Sequence, residues 1–282
     1  MRDRLLTLVW VCVCACGKDV SSPRLAPRSA GAALPAHQAY PDLAAALIAV
    51  IPAGARVVGI GELHARTDRA VVRSTLAAFT QALPAIGARL SDLVLETWIT
   101  APACGAAAVQ ATARVESTVK RPEATKSEIA ELAAAARAAG IQPHAMTLTC
   151  ADFAAIAPPD HDIVAAQLLT VTTRELTRIA SSAVVHRDRE ATHRPWIAVY
   201  GGALHNDRFP DDAVAEWSYA AELDRVTGDH FVEVDVIVPA LAEADPATQH
   251  QPWFPLARAA RDPRAPVLVW TRGERSFVVV LP

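Results

Sequence analysis

Three short apolar runs punctuate the chain, and each ends in polar chemistry. Val57-Val58-Gly59-Ile60-Gly61 delivers Glu62 and then His64, Leu93-Val94-Leu95 delivers Glu96, and Ile197-Ala198-Val199-Tyr200-Gly201-Gly202 leads to His205. Runs that stay apolar at every position mark strands buried on both faces, as in a parallel sheet. Residues 141–148, 230–238, 267–270 and 276–281 read as further strands, with Pro143 placing the first of them at an edge or a bulge. Helical stretches lie between: 41–51, with Asp42 in its first turn and Pro52 at its end, and 68–83, with Val71, Leu76, Phe79 and Leu83 on the core face. A third helix opens with the capping-box sequence Thr125-Lys126-Ser127-Glu128 and stops at Gly140. A long one runs from Pro158 towards Thr192, and another covers 211–226, stopped by Gly228. Residues 98–122 fit neither period; they read as a long loop with room for a short helix.

This alternation predicts an α/β fold, a mostly parallel central sheet flanked by helices, with a C-terminal antiparallel hairpin turning at 271–275. In such sheets ligands bind at the carboxyl ends of the strands. Glu62, His64, Glu96 and His205 all fall there.

Composition narrows the function more than the fold. The chain has 282 residues, 52% hydrophobic but only 5% aromatic, so its core is aliphatic. A net charge of −3 leaves no excess of basic residues and argues against broad nucleic-acid binding. Gly59-x-Gly61 lacks the third glycine of a dinucleotide fingerprint. There is no Gly-x-Ser-x-Gly elbow, no phosphate loop and no His-Glu-x-x-His, which disfavours serine hydrolases and nucleotide enzymes.

The first residues read as an export signal, 1–16. Arg2 and Arg4 precede an apolar run, 5–13, that is too short to span a bilayer. Cys16, after Cys14-Ala15, resembles the lipid-bearing cysteine of a bacterial lipobox; Cys14 is the weaker choice, and an uncleaved anchor is the alternative. Gly17, where an aspartate is absent, points to the outer rather than the inner membrane. Residues 17–38 read as a flexible tether, leaving 39–282 as a single α/β domain. Of the 5 cysteines, Cys104 and Cys150 remain. In an oxidising compartment they can pair; the alternative is two unrelated buried thiols.

A carboxylate two positions from an imidazole on an extended segment shares its side of the chain. Glu62 can orient His64 as a general base, or both can ligate a metal. Read singly, each residue has a plainer role: Glu62 as a helix cap, Glu96 as a strand reaching water early, His205 as a loop histidine. Four of them on three strand ends argue for a shared centre. The charge run 186–193 reads chiefly as a solvated helix end, from which Arg187 or Arg189 can reach an anion. His144 reads as a core histidine or as a partner of the site, and Arg66, Asp68 and Arg69 rank below the four principal residues.

Gly61-Glu62-Leu63-His64, Glu96, Arg187-Asp188 and Gly202-Ala203-Leu204-His205, in this order, resemble the ChaN, TIKI/TraB and erythromycin-esterase group over residues 56–206. Length and the lipoprotein signal are most similar to the ChaN branch, which implies haem or iron binding. The Gly-x-x-His pair is similar to the TIKI branch, which implies a metal-dependent protease. The Glu-x-His unit is similar to the esterase branch, in which the histidine acts on water. The chain departs from the group at Glu190, where a methionine often follows the arginine, and none of Tyr40, Tyr200 and Tyr219 has the context of a haem ligand.

Two functions from different classes are therefore expected, with a scaffold that keeps the fold without turnover as the plainer alternative. One is a membrane-anchored hydrolase of an ester or amide, small molecule or peptide. In it His64 is the base, Glu62 its orienter, Glu96 a second carboxylate, His205 a ligand or electrophile, and Arg187 an anion holder. Glu62, His64, Glu96 and His205 are also the candidate ligands of a divalent transition metal. The other is a haem- or iron-binding lipoprotein without turnover.

Overall fold

The computed structural model describes residues 34–68, 74–99, 102–190 and 194–282. The export signal, Cys16, most of the tether and Arg69 lie outside the described residues. β1 (Gln38–Tyr40) leads into α1 (Leu43–Val50), capped by Asp42, whose carboxylate accepts from the Ala45 N–H at 2.8 Å. There follow β2 (Val57–Glu62), α2 (Thr75–Ile86, capped by Ser74), β3 (Leu90–Ile99), α3 (Gly105–Val119) and α4 (Ala124–Ala138). Next come β4 (Gln142–Thr147), α5 (Cys150–Ile156), α6 (Ala165–Glu190), β5 (Trp196–Gly202) and the single turn α7 (Ala203–Asn206). The chain ends with α8 (Ala220–Thr227), β6 (Phe231–Ile237), α9 (Pro239–Glu243), α10 (Phe254–Ala259), β7 (Val267–Gly273) and β8 (Ser276–Val280).

All eight strands form one sheet in the order β1-β7-β8-β6-β2-β5-β3-β4. The run from β8 to β4 is parallel, and β7 is antiparallel to both β8 and β1. This is the expected fold class. β2 and β5 are buried at every position, which is why their sequences do not alternate. Leu47, Phe79, Leu83 and Leu132 pack on one face with Val58, Ile60 and Tyr200. Val115, Phe153, Leu176 and Leu223 pack on the other with Val57, Val199 and Phe231. A smaller cluster of Trp253, Phe254 and Leu256 covers the hairpin end.

Several boundaries differ from expectation, each for a local reason. Residues 38–40, assigned in part to the tether, instead add an edge strand to β7. The loop 98–122 contains the 15-residue helix α3. The Thr125–Glu128 box lies inside α4, which begins at Ala124 without a side-chain cap; the capping box that does form is Thr149–Asp152, on α5. The helix expected over 211–226 is broken, and α8 starts only at Ala220. There the Trp217 carbonyl turns inward to accept from Thr173 and His205, and the Tyr219 N–H donates to the His205 carbonyl. Cys104 and Cys150 are joined in a disulfide that ties the start of α3 to the start of α5, both just past strand carboxyl ends.

Candidate active site at the strand carboxyl ends

The order of the sheet brings the site together. β5 inserts between β2 and β3, so the carboxyl ends of these three strands stand side by side. Glu62 is the last residue of β2, in register with Gly202, the last residue of β5. β3 pairs with β5 as far as Leu95, and its register to β4 then shifts between Leu95 and Trp98. Glu96 sits in that irregularity and reaches back so that its Oε2 accepts the Gly202 N–H at 2.6 Å. Gly201 is glycine because of this approach: a Cβ there would meet Glu96 Oε2 at 2.6 Å.

Glu62 is 6% exposed, a burial that a carboxylate tolerates only with partners. It has two. The His64 Nδ1 lies 2.7 Å from Oε1, and the Tyr200 hydroxyl donates to Oε2 at 2.6 Å. Burial, then the Glu62 charge, push the Tyr200 phenol well above its ordinary value, so it stays protonated and remains a donor. The buried carboxylate thus fixes the imidazole and places the Nδ1 proton towards Glu62, leaving the Nε2 lone pair towards Arg121.

The Arg121 guanidinium meets that nitrogen. Its Nη2 stands 2.8 Å from His64 Nε2 and 3.3 Å from Glu96 Oε1, with Nε2 to Oε1 at 3.5 Å. Arg121 comes from just beyond α3, where Lys120 takes a left-handed conformation (φ 53°) and redirects the chain. The Lys120 carbonyl also accepts the Thr67 N–H, tying this turn to the segment after His64. Burial and the Arg121 charge lower the His64 pKa, while the Glu96 charge and the hydrogen bonds to Glu62 and Glu96 raise it; the net direction is upward. Burial alone would raise Glu96, but the neighbouring His64, His205 and Arg121 charges hold its carboxyl well below the usual range.

His205 is 3% exposed. Its Nδ1 lies 2.9 Å from both the Trp217 carbonyl and the Thr173 hydroxyl, which itself donates to that carbonyl. Burial holds the imidazole below its ordinary pKa. It is therefore neutral near pH 7, with the proton on Nδ1 and the lone pair on Nε2.

The pocket beside Glu62 and His64 is a small cavity of about 10 Å³, room for a single water molecule. Glu62, His64, Arg121, Thr125, Glu128 and Leu241 contribute to its lining, whereas Glu96 and His205 do not line it.

Three of the residues singled out in the sequence, Glu62, His64 and Glu96, thus meet; His205 lies near enough to Glu96 for the two to interact electrostatically, and Arg187 does not join them. Arg187 lies at the opposite end of the sheet, where its guanidinium donates to the carbonyls of Arg56 and Pro195, the residues that precede β2 and β5. A strand of six residues spans about 20 Å, so Arg187 cannot serve the pocket. The periodicity of α6 marked a helix end rich in arginine but not which end of the sheet it reaches. Arg189 is exposed on the same helix. His144 pairs with Asp92 at 2.7 Å, also away from the pocket. Arg66 and Lys120 both hold Asp68 at 2.9 Å at the surface. Arg121, Tyr200 and Thr173 were missed. Tyr200 alone left a trace, as a polar hydroxyl inside an aliphatic run.

The four candidate ligands do not form a metal centre as arranged. Among the described residues no group of three or more His, Cys, Asp or Glu is disposed to hold a metal ion. Glu62 is engaged by His64 and Tyr200, Glu96 by Gly202, and the Arg121 guanidinium stands between His64 and Glu96 where a cation would sit.

No family model matches the chain, and no curated protein matches it. Among solved structures, that of the type III effector HopBA1 is similar at 15% identity and a TM-score of 0.38, over 80% of this chain and 87% of that one. A likeness this slight carries no argument. No helix among the described residues is long and apolar enough to cross a membrane.

Proposed function

We propose that this protein is an exported, lipid-anchored hydrolase that cleaves an ester or amide with the Glu62–His64 pair as its base. The observation that carries the reading is the chain of contacts from the buried Tyr200 hydroxyl through Glu62 to His64, whose Nε2 meets Arg121, both residues lining the pocket. A histidine oriented by a buried carboxylate is the arrangement general-base catalysis needs. In this reading the bound substrate draws Arg121 off Nε2, neutral His64 then takes a proton from water through that nitrogen, and the hydroxide adds to the substrate carbonyl carbon. The Arg121 guanidinium faces the oxyanion that forms. The proton then passes from His64 to the departing oxygen or nitrogen, and the acid is released. Glu96, held ionised, keeps Arg121 and His64 aligned. The positive charge that a metal would bring is supplied by Arg121. Export and anchoring rest on the sequence of residues 1–16, and the Cys104–Cys150 bond supports an oxidising compartment.

The test is a panel of ester and peptide substrates given to the full chain, with His64→Ala beside it. The expected result is a loss of about 10³-fold in kcat/KM with an unchanged circular dichroism spectrum, while His144→Ala keeps the parent rate. Hydrolysis that survives His64→Ala would remove the catalytic assignment. Saturable haem binding that persists in His64→Ala and Glu62→Ala, without hydrolysis, would replace it with a binding protein.

A further inference from the structure

Gly59 and Gly61 face the other side of β2 from Glu62, and what fills the space they leave is polar. A Cβ on Gly59 would stand 2.7 Å from the Asn206 Cβ, and one on Gly61 would clash with both Asn206 Oδ1 and Asp235 Oδ1. Asn206 follows His205 in α7 and is fully buried. Its Nδ2 donates to the Gly59 carbonyl at 3.3 Å and to Asp235 Oδ1 at 3.0 Å, which fixes the orientation of the amide. Its Oδ1 is left without a hydrogen-bond partner among the described residues. A buried amide oxygen with no donor is costly.

Asp235 is the neighbour that can supply the donor. It stands on β6 in register with Gly61, and the contact with Asn206 is its hydrogen bond among the described residues. The groups around it leave it short of positive charge. Glu233, two residues back on the same face of β6, is fully buried. Its Oε2 accepts the Arg208 N–H at 3.0 Å, and its Oε1 lies 3.4 Å from Arg272 Nη1. Arg272, from β7, also holds Asp207 at 2.6 Å, while the Arg208 guanidinium goes to Asp224 and the Phe231 carbonyl. The Tyr219 phenol, pushed well above its ordinary value by burial, brings no charge, and β8 sets Val278 opposite Asp235. Glu233 and Asp207 thus have donors suited to ionised acids, whereas Asp235 faces an amide with a vacant acceptor. Burial, then the Glu233 charge, push the Asp235 carboxyl well above its ordinary value.

We infer that Asp235 is protonated and donates to Asn206 Oδ1, completing an acid–amide pair that seats α7 against β2 and makes Asp235 a positioning residue for the site. The amide N–H is given to one carboxyl oxygen, and the carboxyl O–H is given back to the amide oxygen. α7 starts directly after Gly202, whose N–H binds Glu96, and it carries His205. From the far side of β2 the pair therefore sets the backbone that holds Glu96 beside Arg121 and His64. The pair itself stands on Asn206 and Asp235; its effect on rate rests on the hydrolytic reading, and the two can fail separately.

Asp235→Asn tests it, because the new amide offers the same donor and acceptor at every pH. Infrared difference spectra of the full chain in detergent are taken near neutral pH. The parent shows the carbonyl band of an un-ionised carboxylic acid, Asp235→Asn lacks it, and Glu233→Gln keeps it. Melting reads the same proton. A carboxyl whose folded pKa is raised stabilises the fold below its unfolded pKa of about 3.9, and that contribution is lost as pH rises through the folded value. The parent therefore loses melting temperature more steeply with rising pH than Asp235→Asn. For the seating of α7, backbone amide exchange over residues 202–206 rises about tenfold in Asp235→Ala and returns to the parent rate in Asp235→Asn. Absence of the acid band, its survival in Asp235→Asn, or exchange that Asp235→Asn fails to restore overturns the inference. Where the chain hydrolyses, kcat/KM follows exchange, falling about tenfold in Asp235→Ala and recovering in Asp235→Asn. An acid band lost in Asp235→Asn, with exchange restored, in a chain that hydrolyses nothing supports the pair and sinks the base. Hydrolysis that depends on His64 in a chain without the band does the reverse.

Discussion

The two ends of the sheet are built from nearly the same parts. Each has a carboxylate and an imidazole 2.7 Å apart, Glu62 with His64 at the carboxyl end and Asp92 with His144 towards the amino end. Each has arginine close by. The amino end even has the larger hollow, about 450 Å³ lined by Arg56, Arg187 and Asp188. The difference lies in what the guanidiniums bind. At the amino end Arg187 donates to the carbonyls of Arg56 and Pro195, and Arg194 to those of Leu90, Ala139 and Gly140. These arginines bind backbone carbonyls at strand starts and at the end of α4, one of which, that of Arg56, also accepts the Ile197 N–H. At the carboxyl end Arg121 faces the side chains of His64 and Glu96 instead. A cation spent on carbonyls holds the fold, whereas one set among titratable side chains can exchange them for a ligand. Neither the acid–imidazole contact nor the size of the hollow separates the two ends; the partners of the arginines do.

Exchanging the two arginines for alanine sharpens this contrast most. Arg121→Ala lowers kcat/KM by about 10³-fold, near 4 kcal/mol, the scale of a lost oxyanion donor, with little change in melting. It also removes a charge that lowers the His64 pKa. The base must be neutral to act, so the acidic limb of the pH–rate profile moves to higher pH; Arg121→Lys, which keeps the charge, holds it in place. Arg187→Ala does the opposite to both readouts. It costs about 1 kcal/mol of stability by removing hydrogen bonds to the partly buried Pro195 and Arg56 carbonyls and leaves kcat/KM per folded molecule unchanged. A rate loss with Arg187→Ala as large as that with Arg121→Ala would erase the distinction between the ends.

The disulfide belongs to the same comparison. The segments after β3 and β4 at the carboxyl end are long, and Cys104–Cys150 joins them across 46 residues. Chain-entropy reasoning gives such a bridge a stabilising effect of about 2–4 kcal/mol. The double change Cys104→Ser and Cys150→Ser therefore lowers the unfolding free energy in urea by that amount. Arg121 follows directly after α3, which the bridge anchors at its start, so kcat/KM falls before the sheet melts. Stability equal to that of the parent under oxidising conditions would show that the bridge constrains nothing.

Much of this was legible in the chain because burial leaves a direct mark on sequence. β2 and β5 read as strands because every position in them is covered, and Glu62, Glu96 and His205 stood out because acids and imidazoles ending such runs need partners. Periodicity fixes a face of a helix but not the end of the sheet to which its last turn points, which is why Arg187 was placed in the wrong half. Arg121 follows a helix concealed in an alanine-rich stretch and is aimed by one left-handed residue, Lys120, a feature with no signature beyond the turn itself. Glu128 matched a capping box three residues after Thr125. Only the observed start of α4 at Ala124 releases it from that role.

The smallest effect is also the one with the clearest sign. Glu96→Gln preserves an oxygen for the Gly202 N–H but removes the charge that helps to raise the His64 pKa. The acidic limb of the rate profile then moves to lower pH, opposite to the shift with Arg121→Ala, while kcat/KM on the plateau falls about tenfold as Arg121 loses its counter-charge. Stability follows from the same group. The folded-state pKa of Glu96 is depressed well below the ordinary glutamate value of about 4.3, so its ionised form favours the fold above that pH, and the benefit is lost as pH falls through the acid range. Melting temperatures recorded from neutral pH downward should therefore fall less steeply for Glu96→Gln than for the parent chain. If the two curves run parallel and the rate profile stays where it was, the charge on Glu96 is not coupled to His64, and the carboxyl end of the sheet is no more a working site than the amino end.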